Sequence, residues 1–147
     1  MVHQHGRTTH EGLGLLEAIE DCGQRMTGQR ALLAQHLEAK GEAFSAEEIA
    51  RELPGVGRAT IYRTLKLLVE SGALCKMQLP DGSPRYKRDD AVHHHHHLVC
   101  TVCRRVQEFR HPSVERMLRT MRDEVGGTVV GHRLEIFIVC DRCAVES

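Results

Sequence analysis

Two pairs of cysteines near the end of the chain constrain its fold more than any other feature. Cys100 and Cys103 form the first Cys-x-x-Cys pair, and Cys140 and Cys143 form the second. Each pair can bring two thiolates to one metal from a single tight turn, and four thiolates make the tetrahedral set that zinc prefers. Disulfides are the alternative, but no secretory signal precedes the domain and the other two cysteines stand alone. The spacing therefore predicts a structural zinc site in a cytoplasmic protein.

Composition limits the classes of function. The chain has 147 residues, enough for one domain or two small ones. No apolar run approaches the ~20 residues that span a bilayer, so no membrane partner is expected. Twenty basic and twenty acidic residues cancel, so attraction to nucleic acid must come from a local basic cluster. Aromatic residues make up 3% and tryptophan is absent, which argues against a stacking platform for single strands.

The first part of the chain is predicted to be a winged helix-turn-helix. Apolar periodicity predicts several helices, of which Thr27 caps one and a capping box at Ser45 opens another. A Pro-Asp-Gly-Ser turn between two strand-like segments predicts a β-hairpin directly after the last helix. The expected ranges are residues 13–22, 27–41, 45–53 and 58–71 for the helices and 73–79 and 85–88 for the strands.

The last of these helices concentrates basic and polar side chains. It carries Arg58, Thr60, Tyr62, Arg63 and Lys66 against one acid, Glu70. An ordinary solvent-exposed helix face would have a similar composition. The hairpin that follows favours DNA, because the helix before a wing is the one that enters the major groove.

The remainder of the chain is predicted to be a small α/β domain that begins after Asp89–Asp90. Strands are expected at residues 98–102, 106–109 and 134–139, with a helix starting at Pro112 between the last two. Met117 and Met121 are expected to lie in the core of this domain. The fold class is thus α+β, with a winged helix in residues 1–90 and a dimerisation and metal-binding domain in residues 91–147. A domain of this size buries little core, so zinc and dimerisation are both expected to support it.

Five consecutive histidines at residues 93–97 run directly into an apolar strand, which favours native sequence over a purification tag. In an extended segment, His95 and His97 would leave one face, and His94 and His96 the other. One run could therefore supply two metal sites. Other donors nearby in the sequence are Cys75 and Asp89 before the run and Glu115 and His132 after it. A site joining both domains would fix their orientation, as a metal-operated switch requires.

These motifs resemble the ferric uptake regulator (Fur) superfamily of bacterial metal-dependent repressors. The residues that carry the resemblance are 59–63, 93–103 and 106–109, His132 and the final Cys-x-x-Cys. The resemblance covers nearly the whole chain beyond the N-terminal segment. It implies a winged helix, a C-terminal α/β dimerisation domain, and a homodimer that binds palindromic double-stranded DNA operators when metallated.

The resemblance also implies a role for individual residues. The structural zinc site corresponds to Cys100, Cys103, Cys140 and Cys143. The sensory site at the hinge takes His95 and His97, and a second regulatory site takes His94, His96, Glu115 and His132. The positions that contact bases and backbone are Tyr62 and Arg63, and the basic position that reaches the minor groove is Arg25.

One departure from the family pattern bears on the sensed metal. Iron- and peroxide-sensing members supply a histidine from just before the third helix, where this chain has Gly-Glu-Ala-Phe at residues 41–44. Zinc-sensing members use one Asp and one Cys from the wing and linker, and this chain has Cys75 and Asp89 there, with the two residue types exchanged. Thiolate favours zinc over Fe(II) or Mn(II), although Cys75 could instead be a small apolar residue of the wing. The interpretation is a site made of Cys75, Asp89, His95 and His97, as in the zinc uptake regulator branch.

The combined prediction is a cytoplasmic, dimeric, zinc-responsive repressor of metal-uptake genes that is not an enzyme. Each protomer would hold a structural zinc and one or two regulatory ions, with Fe(II) or Mn(II) as alternatives to zinc. Within the family, the alternative is an iron, manganese or peroxide sensor. A zinc metallohydrolase is an alternative of another class, although the chain has no HExxH helix and no paired catalytic carboxylates. A further alternative is a protein that binds DNA constitutively and in which zinc has a purely structural role.

Overall fold

A computed structural model describes residues 14–89 and 96–145, and its contacts divide the chain into two compact units. The N-terminal unit comprises residues 1–93 and the C-terminal unit residues 94–147. The domain boundary that the sequence predicts after Asp90 falls outside the described residues, and it stays a prediction. Within the described ranges, every helix is too short or too polar to cross a membrane.

The N-terminal unit contains helices followed by a hairpin, in the order expected for a winged helix-turn-helix. Its elements are α1 (Leu15–Asp21), α2 (Gly28–Ala39), α3 (Ala46–Glu52), α4 (Arg58–Glu70), β1 (Leu74–Gln78) and β2 (Pro84–Arg88). The Thr27 hydroxyl accepts a hydrogen bond from the backbone N–H of Arg30 at the start of α2. At α3, Ser45 and Glu48 form the predicted capping box. Local capping chemistry therefore fixes where both helices begin.

The core of this unit lies between the helices and the hairpin. Helix α4 contributes Ile61, Leu65 and Leu68, each fully buried. The backbones of Phe44 and Tyr86 exchange two hydrogen bonds of 2.9 and 2.8 Å, which joins the loop before α3 to strand β2. The two rings stack with centroids 5.9 Å apart. The wing is thus attached to the helical part by backbone pairing as well as by apolar packing.

The C-terminal unit is a small three-stranded sheet with two helices. Its elements are β3 (His96–Cys100), β4 (Val106–Phe109), α5 (Pro112–Glu124), β5 (Glu135–Ile138) and α6 (Asp141–Val145). The strand order is β4-β3-β5, with β3 antiparallel to β4 and parallel to β5. A parallel pair needs a crossover connection, and the segment containing α5 provides it.

The structure corrects three details of the sequence prediction. Strand β3 begins at His96 rather than at residue 98, and α6, which carries the last cysteine, was not predicted. The prediction that Met117 and Met121 lie in the core is wrong for the single chain, since they are 49% and 51% exposed. Helix α5 has no fully buried residue, and only Val114, Glu115 and Leu118 on it are half-buried.

Candidate metal and DNA-binding sites

The four cysteines of the two pairs come together as the spacing predicts. Their sulfur atoms all lie within 4.8 Å of one another, and this is the one cluster with that geometry among the described histidines, cysteines and carboxylates. Cys100 ends β3 and Cys103 lies in the turn after it, while Cys140 and Cys143 enter from the end of β5 and from α6. Cys100 and Cys143 are buried and Cys103 is exposed. Four soft donors at this spacing fit a structural zinc site.

Hydrogen bonding around the sulfur atoms favours the thiolate at Cys100 and Cys140 and opposes it at Cys143. Burial acts to raise the pKa of Cys100, but N–H groups, led by that of Cys140, donate to its sulfur and lower the pKa to about 6. The neighbouring Cys140 side chain raises the pKa of Cys143 to about 12. Four thiolates this close repel one another, so full ionisation of the set requires a divalent cation among them.

A second group of donors gathers on one side of the C-terminal sheet. His96 is 1% exposed, and its Nε2 lies 2.8 Å from Oε1 of Glu115 on α5. The His132 ring lies 5.4 Å from the His96 ring, centroid to centroid. The hydrogen bond to His96 holds the pKa of Glu115 below its ordinary value. Three of the four residues predicted for the second regulatory site are therefore neighbours, and the fourth, His94, lies outside the described residues.

His97 projects from the opposite face of β3, because successive strand residues alternate. In the sheet register it pairs with Glu108 on β4 and Glu135 on β5, so both carboxylates flank it on the same face. Glu108 was not proposed as a donor from the sequence. Its place beside His97 follows from the pairing of β3 with β4, which the sequence alone does not give. His95, the other histidine predicted for this site, lies outside the described residues.

The other two residues predicted for the sensory site belong to the N-terminal unit. Cys75 lies on β1 and is half-buried. Asp89 follows β2 directly, and its backbone N–H donates to the carbonyl of Ala73 at 3.1 Å. The hairpin thus holds both positions in ordered backbone.

Helix α4 presents a polar face with the composition that DNA binding needs. Arg58, Tyr62, Arg63 and Lys66 are exposed, Thr60 is half-buried, and the opposite side of the helix is in the core. The remaining predicted DNA contact, Arg25, is also exposed and lies in the segment between α1 and α2. The five predicted DNA contacts, and Lys66 beside them on α4, are therefore at least partly accessible.

Side-chain hydrogen bonds join the wing to α3 and to the loop before it, and join α3 to α4. Arg85 on the wing is buried and donates from Nη1 to Glu48 at 2.8 Å and from Nη2 to the carbonyl of Ala43 at 2.7 Å. The hydroxyl of Tyr62 donates to Oε1 of Glu47 at 2.7 Å. That hydrogen bond holds the pKa of Glu47 below its ordinary value and raises the pKa of Tyr62. Sequence reasoning missed this partner of Tyr62, since nothing in the spacing pairs a residue of α3 with one of α4.

Comparison with known proteins agrees with this architecture. The model of the ferric uptake regulator family matches residues 21–137. The peroxide operon regulator of Bacillus subtilis (strain 168) is 30% identical over 142 residues, which are 94% of this chain and 97% of that protein. The ferric uptake regulation protein of Neisseria meningitidis serogroup A is 33% identical over 134 residues, covering 88% of this chain and 92% of that one.

Solved structures give the same result. A structure described as a zinc-bound manganese uptake regulator superposes with a TM-score of 0.67 at 32% identity, covering 87% of this chain and 99% of that chain. The range matched by the family model, residues 21–137, runs from the end of α1 into β5 and therefore includes parts of both units. The chain belongs to the ferric uptake regulator family of metal-responsive transcription regulators.

Proposed function

We propose that this protein is a zinc-responsive transcriptional repressor that binds palindromic operators of metal-uptake genes as a homodimer in the cytoplasm. The observation that carries the proposal is the exposed basic face of α4 beside a wing, in the same chain as a four-cysteine cluster. The helix supplies Arg58, Tyr62 and Arg63 to the major groove, and Arg25 supplies a cation to the minor groove. The net charge of zero means that this local face, rather than the whole molecule, attracts DNA.

The homodimer is supported by apolar surface that the single chain leaves uncovered. Among the described residues of the C-terminal unit, the buried ones are His96, Val99, Cys100 and Cys143. The exposed apolar side chains of α5 and β5, or just beyond them, are Met117, Met121, Val125, Ile136, Phe137 and Val139. A patch of this kind marks an interaction surface, and a second copy of the same unit would cover it with matching chemistry.

The sensory site in this proposal consists of Cys75, Asp89, His95 and His97. Two members belong to each unit, so filling the site would fix the wing with respect to the dimerisation unit. One thiolate, one carboxylate and two imidazoles are a sensible tetrahedral set for zinc, and the thiolate disfavours harder ions. Glu108, the register partner of His97, offers a further oxygen donor on that face.

The second regulatory site consists of His94, His96, Glu115 and His132. Its described members already contact one another, and Glu115 orients His96 through the 2.8 Å hydrogen bond. Imidazole and carboxylate donors without a thiolate discriminate less among divalent ions. Iron, manganese or peroxide sensing is therefore the alternative that this site favours.

A metallohydrolase would need a metal with an open position and a base positioned against a bound water. The four-cysteine cluster has four protein donors, which is the closed arrangement of a structural site. The family relatives are regulators of transcription, and we propose the same role here and no catalytic one.

The experiment that tests the proposal is selection of DNA by the zinc-loaded protein from a pool of genomic fragments. We expect enrichment of fragments with a palindrome whose half-sites lie about one helical turn apart, roughly 34–36 Å, or a multiple of it. Arg63→Ala should weaken binding to the enriched duplex by about 1–3 kcal/mol if Arg63 reads a base. Enrichment of no sequence, with or without zinc, would contradict the proposal.

A further inference from the structure

We infer that Glu47 is a positioning residue that makes the hydroxyl of Tyr62 a hydrogen-bond acceptor towards DNA. Tyr62 would then recognise bases that carry an amino group in the major groove. The inference rests on the proposed DNA binding by α4. It gives Glu47, on the preceding helix α3, a part in the recognition of the DNA sequence.

The contact joins two helices of the N-terminal unit. Glu47 lies in the first turn of α3, and its Oε1 accepts a 2.7 Å hydrogen bond from the hydroxyl of Tyr62 on α4. Helix α3 is itself anchored by the Ser45–Glu48 capping box and by the Arg85–Glu48 ion pair. Tyr62 is 44% exposed, yet its hydroxyl is hydrogen-bonded to a fixed part of the fold.

The direction of this hydrogen bond determines what Tyr62 can recognise. An ionised carboxylate has no hydrogen to donate, so the tyrosine must be the donor. A phenol has one hydrogen, and while it is used by Glu47 the oxygen can only accept. In the major groove, adenine N6 and cytosine N4 donate, whereas guanine O6 and N7 and thymine O4 accept. Tyr62 held in this way therefore favours an amino-bearing base and disfavours a guanine edge or a phosphate oxygen.

The charge of Glu47 affects affinity in the opposite direction. A carboxylate on a DNA-facing surface repels phosphates, and the nearby Arg58, which helps to keep Glu47 ionised, offsets only part of that repulsion. Glu47 should therefore lower the affinity for every duplex and raise the ratio of affinities for the preferred duplex over others. Specificity is a difference of affinities, so the two effects can be measured separately.

The test compares affinity for two duplexes: one selected by the zinc-loaded wild type from a random pool, and a scrambled one. We expect Glu47→Ala to lower the ratio of the two affinities by about 5- to 150-fold, the range of one good base contact. Glu47→Gln should restore much of the ratio, since its amide oxygen can still accept from Tyr62. In a Tyr62→Phe background, Glu47→Ala should lower the ratio no further, because no hydroxyl is left to orient.

Glu70→Ala is the matched control. Glu70 is an exposed acid on α4 whose contact is a 3.8 Å ion pair with Lys66 on the same helix. Its removal changes the charge by the same amount, so it should strengthen binding to both duplexes equally and leave their ratio unchanged. The inference is wrong if Glu47→Ala leaves the affinity ratio unchanged, as Glu70→Ala should. It is also wrong if Glu47→Ala lowers the ratio by the same factor in the Tyr62→Phe background as in the wild type. If the wild type selects no duplex at all, both the inference and the proposed repressor function are wrong.

Discussion

Arg104 follows the first cysteine pair with a φ of 62°, in the left-handed region that residues with a Cβ rarely adopt. The turn needs this conformation because the backbone N–H of Arg104 must reach the carbonyl of Cys100, 2.9 Å away. Glycine adopts positive φ without the steric cost. At position 104, in the turn after the first cysteine pair, glycine should therefore give a more stable fold than the native arginine.

We predict that Arg104→Gly stabilises the zinc-loaded protein by about 0.5–1 kcal/mol, the difference between left-handed strain and the extra freedom of glycine when unfolded. Chemical denaturation in the presence of zinc measures it. Arg105→Gly is the control, because Arg105 is not in the left-handed region and glycine there should only destabilise. Equal destabilisation by both variants would show that the strain is not relieved.

Single residues could be predicted from the sequence where their role depends on local spacing. The four cysteines are of this kind, because a Cys-x-x-Cys turn chelates through neighbouring backbone. The partners of Tyr62 and His97 are not, since Glu47 and Glu108 reach them through helix packing and strand register. Neither pairing, Glu47 with Tyr62 or Glu108 with His97, can be recognised from the spacing of residues in the sequence.

At the scale of secondary-structure elements, the wing is held to α3 by a partly buried ion pair. Burial acts to raise the pKa of Glu48, but the hydrogen bonds from Arg85 and from the backbone of Ser45 outweigh it and hold the pKa below the ordinary value of 4.5. A lowered carboxyl pKa stabilises the fold above the ordinary pKa, and the contribution is lost as pH falls through the folded value.

Glu48→Gln should therefore destabilise the N-terminal unit at neutral pH by about 1.5–3 kcal/mol, the range for hydrogen bonds to charged groups. The difference from wild type should disappear as pH falls below about 4.5. Thermal unfolding measured at pH 7 and at acid pH tests both statements. Glu42→Gln, at an exposed position, is the control for charge. A difference that is the same at both pH values would contradict this role for Glu48.

The elements themselves were predictable where their signals are local. Capping residues and a turn sequence fixed α2, α3 and the wing, and the caps appear where they were expected. Helix α6 has five residues, fewer than two turns, so it shows no apolar periodicity to detect. The stripe of Met117 and Met121 on α5 was recognised correctly as apolar, but periodicity does not reveal whether a stripe packs within one chain or against another.

At the scale of the whole molecule, zinc at the cysteine cluster should be a condition for assembly. The C-terminal unit has little buried apolar surface of its own, and thiolates that hold a metal couple its binding to folding. We predict that Cys100→Ser gives monomer or aggregate that does not bind operator, as sedimentation and metal analysis would show. Cys22→Ser, at a free cysteine outside the cluster, should remain a zinc-bound dimer. A stable, DNA-competent dimer from Cys100→Ser would contradict the structural role.

The regulatory metal should be separable from the structural one. Cys75→Ser and His95→Ala should each remove one zinc per protomer and keep the dimer, because neither residue belongs to the cysteine cluster. His94→Ala should have a milder effect on zinc-dependent DNA binding, since we propose His94 for the other regulatory site. Metal analysis of the purified dimers gives the stoichiometry. If Cys75→Ser retains the wild-type zinc content and response, iron or manganese becomes the better assignment for the sensed metal.

The most direct test of the whole account is the affinity of the dimer for its selected duplex, measured by fluorescence anisotropy as zinc is titrated into protein that retains the structural zinc. Coupling between two sites is typically about 1–3 kcal/mol, so zinc should raise the affinity of the wild type by about 5- to 150-fold. Cys75→Ser should show no such rise while keeping the affinity of the wild type without added zinc. An affinity of the wild type that is the same at every zinc concentration would contradict the claim that metal controls DNA binding in this protein.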